Sequence, residues 1–504
     1  MASATTSQAA QQRRRAIALL CVLVAGTVAS LAFTVQPFWD ARPDAARYLL
    51  AARSLAEGDG YTVMGEPFRL RPPGFSALLA PLVAWRGFDF PALNLFVSLF
   101  GVLAVVLLYL LLLPRVGALV GCAVAILVWL NPQLQALCNQ VLSDVPALAL
   151  ALLVLLALRW SNERPSLGRD LVLAVILAAA VYVRSANLLL IPALVLDRAC
   201  RWTLPGAPSV AAGAFLLHRL IVPLGVLALL YLPWLLTPSF SSQYDSPDLH
   251  SYGTAFLRSD PNDPGAAALG AAQWTTRIAD NAAAYSAIFG SGMVTRRMSA
   301  AAPVVAVLGA LALLAVLARR REAPEWFAIG TAVVLIGYYV AAARLLLPVF
   351  VLTVAALAEG ASWLLGRVLG QRIVERTVAA CLLVAAALTL GAGSGQRFEV
   401  RAQAASLVAA TDHMRQTLPA DAALGGDVGA VYALLLDRPV YSLRPLSRRG
   451  KDDAIAALVD ERRLAAVVAR RDGPLDAIVA RLRESGAEVV TFPHHVVVRL
   501  APRG

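Results

Sequence analysis

Residues 91–113 have the sequence PALNLFVSLFGVLAVVLLYLLLL, which contains no charged side chain. An α-helix of about 20 apolar residues crosses roughly 30 Å of hydrocarbon, so this stretch predicts a membrane-spanning helix. Ten similar apolar runs with few charges occur at 16–35, 116–135, 145–158, 170–183, 187–199, 219–236, 300–318, 326–343, 345–365 and 377–393. The sequence therefore predicts a polytopic α-helical membrane protein with about eleven transmembrane helices.

The composition supports a membrane protein and argues against nucleic-acid binding. Of the 504 residues, 59% are hydrophobic, which is far above the share expected for a soluble domain. The formal net charge is +12, but the chain has a single lysine, Lys451, so arginine carries almost all of the positive charge. Most of these arginines lie between apolar runs, where orientation in a bilayer explains them.

Neither the cysteines nor the histidines predict a metal site or a cofactor. The five cysteines fall within or beside apolar runs and lack metal-ligand spacing, so we expect no disulfide either. His494 and His495 have no cysteine or acidic partner at metal-ligand spacing, and we interpret them as structural. A divalent metal remains possible, although no motif indicates one.

Charge places the N-terminus in the cytoplasm. Residues 1–15 end in Arg13, Arg14 and Arg15, and the following run 16–35 is long enough to cross the bilayer as an uncleaved first span. Alternating the spans from this start places arginine-bearing connections on the cytoplasmic side, in agreement with the positive-inside rule. These arginines are Arg115, Arg159, Arg164, Arg169, Arg198, Arg201, Arg219, Arg319, Arg320, Arg321, Arg367, Arg372 and Arg376.

The region 170–199 allows two interpretations. As one long span it would place Arg184 near the bilayer centre, at a cost of about 2.5–3.5 kcal/mol on insertion scales. It would also reverse every later segment and place Arg319–Arg321 outside. We therefore prefer two short spans that meet on the outer side at Arg184.

The predicted domains follow from this topology. Residues 16–396 form the transmembrane domain, with outer loops at 36–90 and 237–299. Within the first loop, the apolar segment 72–87 predicts a helix at the outer interface. From 397 to 504, short apolar runs alternate with helical patterns such as DDAIAALVDERRLA, which predicts a small extracytoplasmic α/β domain.

Two aspartates stand where chemistry could occur on the outer side. Asp44 and Tyr48 lie one helical turn apart in DARPDAARYLLAARSLAEGDGY (40–61), which ends at Tyr61. Asp40 is an alternative first-loop acid, and a solvated loop carboxylate is the simpler interpretation of either. Asp144 begins the fourth span, and a helix-capping role explains it without any chemistry.

Three arginines complement these acids. Arg71 precedes a helix that starts at Pro72-Pro73; because a cation opposes the helix dipole there, an anion such as phosphate would explain it. Arg184 and Arg344 each stand at the outer end of a span. Lipid headgroups explain single arginines in such places equally well.

An ordered set of segments resembles a known family. The segments are DAARYLLAARSLAEGDGY, RLRPPGFSALLAPL, VLSDVPALALALLVLLAL, YVRSANLLLIPALVL and ARLLLPVFVLTVAAL. In this order they resemble bacterial membrane glycosyltransferases of the GT-C fold. The most similar members are the family 39-like protein O-mannosyltransferases and the aminoarabinose and galacturonic acid transferases of lipopolysaccharide. The resemblance covers roughly residues 16–390.

The resemblance implies sugar transfer from a polyprenyl-phosphate donor to a hydroxyl of a lipid, polysaccharide or protein, at the outer face of the bacterial cytoplasmic membrane. It implies that Asp44 and Asp144 are the catalytic acids, and that Arg71, Arg184 and Arg344 bind the donor phosphate. Tyr48 and Tyr61 would be further substrate contacts. Two departures are Ala45, where the family often has a second acid, and Arg71, where several relatives have lysine. The first weakens a paired-carboxylate or metal site, and the second favours phosphate binding.

Two other functions remain open. A lipid or polyprenyl-phosphate transporter would place ionisable residues at the bilayer midplane within repeated halves, and the sequence shows no such repeat. A non-catalytic subunit of cell-envelope assembly would use the C-terminal domain as its working part.

Overall fold

The protein is described from a computed structural model that covers residues 2–203, 217–236, 242–244, 251–261, 265–293, 300–389, 394–444 and 452–500. The helices in chain order are α1 (Ala2–Thr34), α2 (Pro43–Glu57), α3 (Gly74–Arg86), α4 (Phe90–Leu130), α5 (Pro132–Cys138), α6 (Asp144–Glu163), α7 (Leu167–Val183), α8 (Leu190–Thr203), α9 (Val222–Leu235), α10 (Tyr252–Leu257), α11 (Ala271–Met293), α12 (Ala302–Arg320), α13 (Ala323–Gly337), α14 (Leu347–Leu365), α15 (Gln371–Thr389), α16 (Ser394–Thr417), α17 (Gly429–Leu436), α18 (Asp452–Glu461) and α19 (Asp476–Glu484). The strands are β1 (Thr62–Val63), β2 (Glu66–Pro67), β3 (Leu424–Gly426), β4 (Tyr441–Ser442), β5 (Ala466–Arg470), β6 (Glu488–Thr491) and β7 (His495–Arg499).

The chain divides into two compact units. The first, which we call the helical unit, consists of 1–35, 94–237 and 270–393. The second, which we call the mixed unit, consists of 36–93, 238–269 and 394–504. The mixed unit thus combines most of the two predicted outer loops with the predicted C-terminal domain.

Apolar helices dominate the helical unit, as the sequence predicts for a multi-pass membrane protein. Among the described residues, five helices are long and apolar enough to cross a membrane: Ala9–Thr34, Phe90–Leu130, Asp144–Glu163, Ala302–Arg320 and Ala343–Leu365. Shorter apolar helices lie at Gly74–Arg86, Arg219–Leu235 and Ala323–Gly337. The count of about eleven spans stays a prediction.

Two helix breaks fall where the sequence predicts them. The 41-residue helix α4 is interrupted at Gly117, whose φ of 79° and ψ of 172° are non-helical, three residues after Pro114. The predicted runs 91–113 and 116–135 meet at this kink. Between α7 and α8 the backbone of Arg184 is extended, with φ −157° and ψ 122°, and a 3-10 turn, Ser185–Leu189, follows. The region 170–199 is therefore two helices rather than one.

Buried ion pairs join helices of the helical unit. The Asp170 carboxylate accepts from Arg198 Nη2 at 2.7 Å and from Arg219 Nη1 at 2.8 Å, and all three residues are buried. Arg115 Nη1 lies 2.7 Å from Glu325 Oε1, and the Arg115 side chain is 6% exposed. These arginines lie in positions that the sequence assigns to the cytoplasmic side, and each of them also holds two or more helices together.

The mixed unit contains a five-stranded sheet of order β4-β3-β5-β7-β6. Strands β3, β4 and β5 are parallel, whereas β7 runs antiparallel to both β5 and β6. The apolar runs at 424–426, 466–470 and 495–499 supply its buried centre, where Val467, Val468 and Val497 have no exposed surface. This sheet, with helices α16 to α19, confirms the predicted small α/β domain.

One helix was not expected from the sequence. Residues 237–299 are rich in proline, serine, aspartate and glycine and predict a loop, but α11 occupies 271–293 and belongs to the helical unit. Its alanine content is the local signal that favours a helix.

Candidate active site

Asp44 lies at the first turn of α2, which begins at Pro43 because proline has the backbone torsion of a helix start and lacks an N–H to satisfy. Asp44 Oδ1 accepts a hydrogen bond from Arg71 Nη2 at 2.8 Å, and Arg47 Nη1 lies 3.5 Å from the same oxygen. Asp44 is only 8% exposed. The structure thus brings the predicted first acid together with a predicted phosphate-binding arginine.

Arg47 is a member of this cluster that the sequence analysis missed. It lies one turn after Asp44 on the same face of α2, and it is 4% exposed. The i, i+3 spacing of acid and arginine is the signal that could have indicated it. Two guanidinium groups thus face one carboxylate oxygen.

Tyr61 fixes the backbone that carries Arg71. Its hydroxyl donates to the carbonyl oxygens of Arg71 at 3.0 Å and Pro72 at 3.3 Å. Burial raises the pKa of Tyr61 above its ordinary value of 10, so the hydroxyl remains a donor at physiological pH. Tyr61 therefore positions the Arg71 segment.

Tyr48 packs in the interior of the mixed unit. It is 3% exposed and makes an edge-to-face contact with Phe75 of α3, with ring centroids 5.0 Å apart. Ser76 Oγ donates to the Tyr48 carbonyl oxygen at 3.1 Å. These contacts join α2 to α3 and give Tyr48 a packing role.

Asp144 forms the corresponding acid–arginine pair in the helical unit. It begins α6, is 5% exposed, and its Oδ2 lies 3.1 Å from Arg184 Nη1. Arg184 Nη1 donates to Ser143 Oγ at 3.0 Å. The contact with Asp144 is an ion pair without hydrogen-bond alignment, and neither Asp144 oxygen accepts a hydrogen bond from a residue that the structure describes.

Capping does not account for these side chains. Ser143 is the N-cap residue of α6, yet its side chain makes no capping hydrogen bond. The Asp144 carboxylate gains from the positive end of the helix dipole, but a capping role would also give it a backbone N–H. A buried carboxylate without such a bond is costly to the fold, and the ion pair with Arg184 offsets part of this cost.

Asn187 holds the Arg184 turn against α6, and the sequence analysis missed it. Asn187 Nδ2 donates to Ala180 O at 2.9 Å and to Ala147 O at 3.2 Å, and the residue is 3% exposed. These bonds tie the break between α7 and α8 to the first turn of α6. The sequence contains no signal that identifies the hydrogen-bond partners of this buried asparagine.

Arg344 lies in a 3-10 turn, Ala343–Leu346, directly before α14. Tyr285 of α11 braces this turn, since its hydroxyl accepts a hydrogen bond from Ala342 N at 3.3 Å. Asn281 of α11 donates to the carbonyl oxygen of Tyr338 at 2.6 Å. Helix α11 thus fixes the backbone that carries Arg344, whose side chain is partly buried.

The second predicted outer loop contains Tyr244, Asp245, Asp248 and His250, which could contact an acceptor or a sugar, although solvated loop residues explain them more simply. The carbonyl oxygen of Tyr244 accepts from Ser442 N at 2.8 Å, and its ring packs 4.9 Å from that of Tyr441. Asp245, Asp248 and His250 lie outside the described residues. Across the described ranges, no group of three or more histidine, cysteine, aspartate or glutamate side chains could hold a metal ion.

Solved structures with the same fold exist. Crystal structures of ArnT from Cupriavidus metallidurans match with TM-scores of 0.61 when bound to undecaprenyl phosphate and 0.58 in the apo state. Their sequence identities are 14% and 13%, and the alignments cover 96% and 97% of this chain and 99% and 100% of theirs. The archaeal oligosaccharyltransferase AglB from Archaeoglobus fulgidus, in complex with an inhibitory peptide and a dolichol-phosphate, matches with a TM-score of 0.54. Its identity is 15%, over 90% of this chain and 69% of AglB.

These likenesses show that the chain has a GT-C-like fold, as the sequence resemblance implies. No protein-family model matches the sequence, and no curated protein matches it.

Proposed function

We propose that the protein is a glycosyltransferase that moves a sugar from a polyprenyl-phosphate donor to an acceptor hydroxyl. The observation that carries this proposal is the Asp144 carboxylate, which is buried beside Arg184 and accepts no hydrogen bond from the described residues. The GT-C-like fold supports glycosyl transfer as the class of reaction. Undecaprenyl phosphate in the ArnT structure and dolichol-phosphate in the AglB structure support a lipid phosphate as the carrier.

In the reaction, the acceptor oxygen attacks the anomeric carbon of the sugar. The bond from that carbon to the phosphate oxygen breaks, and the lipid phosphate leaves with the electron pair. A carboxylate takes the proton of the attacking hydroxyl, a contribution typically worth about 10²- to 10⁴-fold in rate. Asp144 is the stronger candidate for this base, because its oxygens accept no hydrogen bond from the described residues.

Asp44 has a different role in this scheme. Its Oδ1 accepts a hydrogen bond from Arg71 and lies near Arg47, which fixes the orientation of the carboxylate. We assign Asp44 to orienting Arg71 and the acceptor hydroxyl. Tyr61 supports it by holding the backbone of the Arg71 turn.

Arginines Arg71, Arg184 and Arg344 serve the leaving phosphate. Negative charge develops on the phosphate as the glycosidic bond breaks, and fixed cations stabilise this charge with little reorganisation. Arginine binds phosphate oxygens through two N–H groups and stays charged throughout. Neutralisation of any one of them is therefore expected to slow the chemical step.

The reaction is proposed to take place at the outer face of the cytoplasmic membrane, with the N-terminus inside. The mixed unit supports this orientation, because it combines residues 36–93, 238–269 and 394–504, all of which the arginine pattern assigns largely to the outer side. Labelling of single cysteines introduced near residues 60, 260 and 440 tests the orientation. Cytoplasmic labelling at any of the three sites contradicts it.

Donor consumption tests the function. The purified full-length protein is incubated with a panel of polyprenyl-phosphate sugars, and release of the lipid phosphate is followed by mass spectrometry. We expect release from at least one donor and its loss in Arg184→Ala. Asp437→Asn is the matched control: Asp437 is an acid paired with Arg53 but 77% exposed, and its φ of 56° suits asparagine. Equal release by the wild type and Arg184→Ala would reject the site.

A further inference from the structure

A polar cluster outside the proposed transfer site lies at one edge of the five-stranded sheet. Asp427 directly follows β3, and Arg470 is the last residue of β5, which runs parallel to β3. His495 begins β7 and pairs with Arg470 in the antiparallel register. The three residues therefore meet at the edge formed by the carboxyl ends of β3 and β5.

The order of the strands makes this edge a natural place for a ligand. The chain passes from β3 to β4 on one side, and then returns to β5 on the other side of β3. In open α/β sheets, ligands bind in the crevice outside the carboxyl ends of the strands where the strand order reverses. Asp427 and Arg470 stand on the two strands that flank this point.

A pocket is present at this place, and all of its lining belongs to the mixed unit. Three parts of the chain line the pocket: the segment before α2, helix α16, and the sheet edge with α17. The side chains that matter for binding are those of Trp39, Gln403, Asp427, Tyr432, Arg470 and His495.

Asp427 organises the floor of the pocket. It is 1% exposed, its Oδ1 accepts from the Tyr432 hydroxyl at 2.6 Å, and its Oδ2 accepts from Arg470 Nε at 3.0 Å. The backbone N–H of Val428 also donates to Oδ1, at 3.0 Å. Asp427 thus fixes the orientation of its neighbours and is itself already satisfied.

His495 presents a ring nitrogen to the pocket. The residue is 4% exposed, and its Nδ1 forms a hydrogen bond of 3.0 Å with Ser406 Oγ. Ser406 Oγ also accepts from the backbone N–H of His494 at 2.9 Å. In a neutral imidazole one ring nitrogen donates and the other accepts, so Nε2 suits a partner that can do either. Within the described part of the chain, Nε2 makes no hydrogen bond.

Trp39 is an aromatic residue of the same lining. It is 4% exposed and stacks on Phe90 with ring centroids 5.2 Å apart. Its buried Nε1–H finds no acceptor among the residues that the structure covers. A buried N–H group without an acceptor is rare in a folded protein.

The charges in the pocket are balanced. Arg470 compensates Asp427, and Arg42 compensates Asp40, whose Oδ1 lies 2.9 Å from Arg42 Nε. Burial lowers the pKa of His495 to about 4, so the imidazole is neutral at physiological pH. These pairings leave a phosphate or a carboxylate little electrostatic advantage among the described residues.

From the juxtaposition of Trp39, Gln403, Tyr432 and His495 over the Asp427–Arg470 pair, we propose that this pocket binds a neutral saccharide unit. A sugar supplies hydroxyls, which both donate and accept hydrogen bonds, for His495 Nε2 and the Gln403 carboxamide, and an apolar C–H face for the aromatic rings. An added peptide strand does not fit, because β3, β5 and β7 are inner strands and the sheet edges are β4 and β6. The proposal concerns binding alone and does not rest on the proposed transfer reaction.

Saturation-transfer NMR on the full-length protein in lipid nanodiscs tests the proposal. The probes are the methyl pyranosides of glucose, galactose and mannose, with methyl glucuronide and inorganic phosphate as the anionic comparison. We expect saturable binding of at least one neutral glycoside. Gln403→Ala and His495→Phe should each weaken it about tenfold, the scale of one lost hydrogen bond. Arg401→Ala, an exposed position on the same helix, is the matched control and should bind as the wild type does.

The other outcomes overturn the proposal. They are no saturable binding of any neutral glycoside, binding of phosphate or the glucuronide alone, or binding that Gln403→Ala leaves unchanged. Because Gln403 is partly exposed on α16, its substitution should not perturb folding. If His495→Phe fails to fold, the glycoside affinity of Gln403→Ala alone tests the proposal. Loss of sugar transfer with glycoside binding retained would reject only the proposed function.

Discussion

The Asp144 carboxylate lies 3.1 Å from Arg184 Nη1, yet neither of its oxygens accepts a hydrogen bond from the described residues. Asp170, buried in the same unit, provides the contrast. Its oxygens accept from Ser161 Oγ at 2.6 Å and from the guanidinium groups of Arg198 and Arg219. Both aspartates are almost fully buried, but only Asp170 makes the bonds that a structural role requires.

Asp144→Asn is expected to lower sugar transfer by about 10²-fold or more, because the amide cannot take a proton. The melting temperature should fall less than in Asp170→Asn, because Asp144 pairs with one guanidinium group and accepts no aligned hydrogen bond from the described residues. Parallel measurements of turnover and thermal unfolding test this. A large fall in melting temperature at unchanged turnover per folded molecule would identify Asp144 as structural.

Asp170→Asn should behave in the opposite way. Removing one partner from a buried ion pair typically costs about 3–5 kcal/mol, and here two guanidinium groups lose their counter-charge. We expect a clear fall in melting temperature, with turnover retained by the molecules that remain folded at low temperature. A variant as stable as the wild type would show that this cluster does not hold α7, α8 and the segment before α9 together.

The buried arginine clusters show what the sequence could not predict. Arg115, Arg198 and Arg219 were recognised as arginines between apolar runs, and that pattern correctly indicated membrane helices. Their acidic partners lie at least 28 residues away along the chain, so no local pattern pairs them. The helix breaks at Gly117 and Arg184 were predictable because proline, glycine and a charged residue act on the local backbone.

Tyr61→Phe is expected to weaken donor binding. The substitution removes the donor to the Arg71 and Pro72 carbonyl oxygens, at a cost of about 1–3 kcal/mol if they remain unsatisfied. Because Arg71 is then less well held, KM for the donor should rise more than kcat falls. Tyr252→Phe, at a residue that is 40% exposed, is the control. Unchanged kinetics in Tyr61→Phe would remove Tyr61 from the site.

The stability of the protein should fall in mild acid through His495. Burial, with Arg470 and His494 nearby, lowers the pKa of His495 from 6.5 to about 4, although Asp427 opposes this shift. Below pH 6.5 the unfolded chain binds a proton that the folded chain does not, so stability declines between pH 6.5 and pH 4. The full loss is about 3 kcal/mol.

The difference in unfolding temperature between the wild type and His495→Gln measures this contribution, since other groups titrate equally in both. The wild type should lose more stability than the variant over this pH range. If the unfolding temperatures of the wild type and His495→Gln changed equally with pH, His495 would not be buried as described.

The candidate site was only partly predictable. Asp44, Arg71, Asp144 and Arg184 were singled out from motif order, whereas their pairing as Asp44–Arg71 and Asp144–Arg184 is a tertiary property. The sequence could not show that Tyr48 packs in the interior, because an i, i+4 spacing places two residues on one face without indicating which of them meets solvent.

Single-turnover transfer from a defined polyprenyl-phosphate sugar tests the central claim most directly. The wild type and Asp144→Asn are compared at equal folded concentration, and both the released lipid phosphate and the anomeric configuration of the product are measured. A single displacement predicts release by the wild type with inversion at the anomeric carbon. The rate in the variant should be reduced by about 10²-fold or more. Equal rates in the two proteins, or lipid phosphate release from no donor by the wild type, would contradict the account.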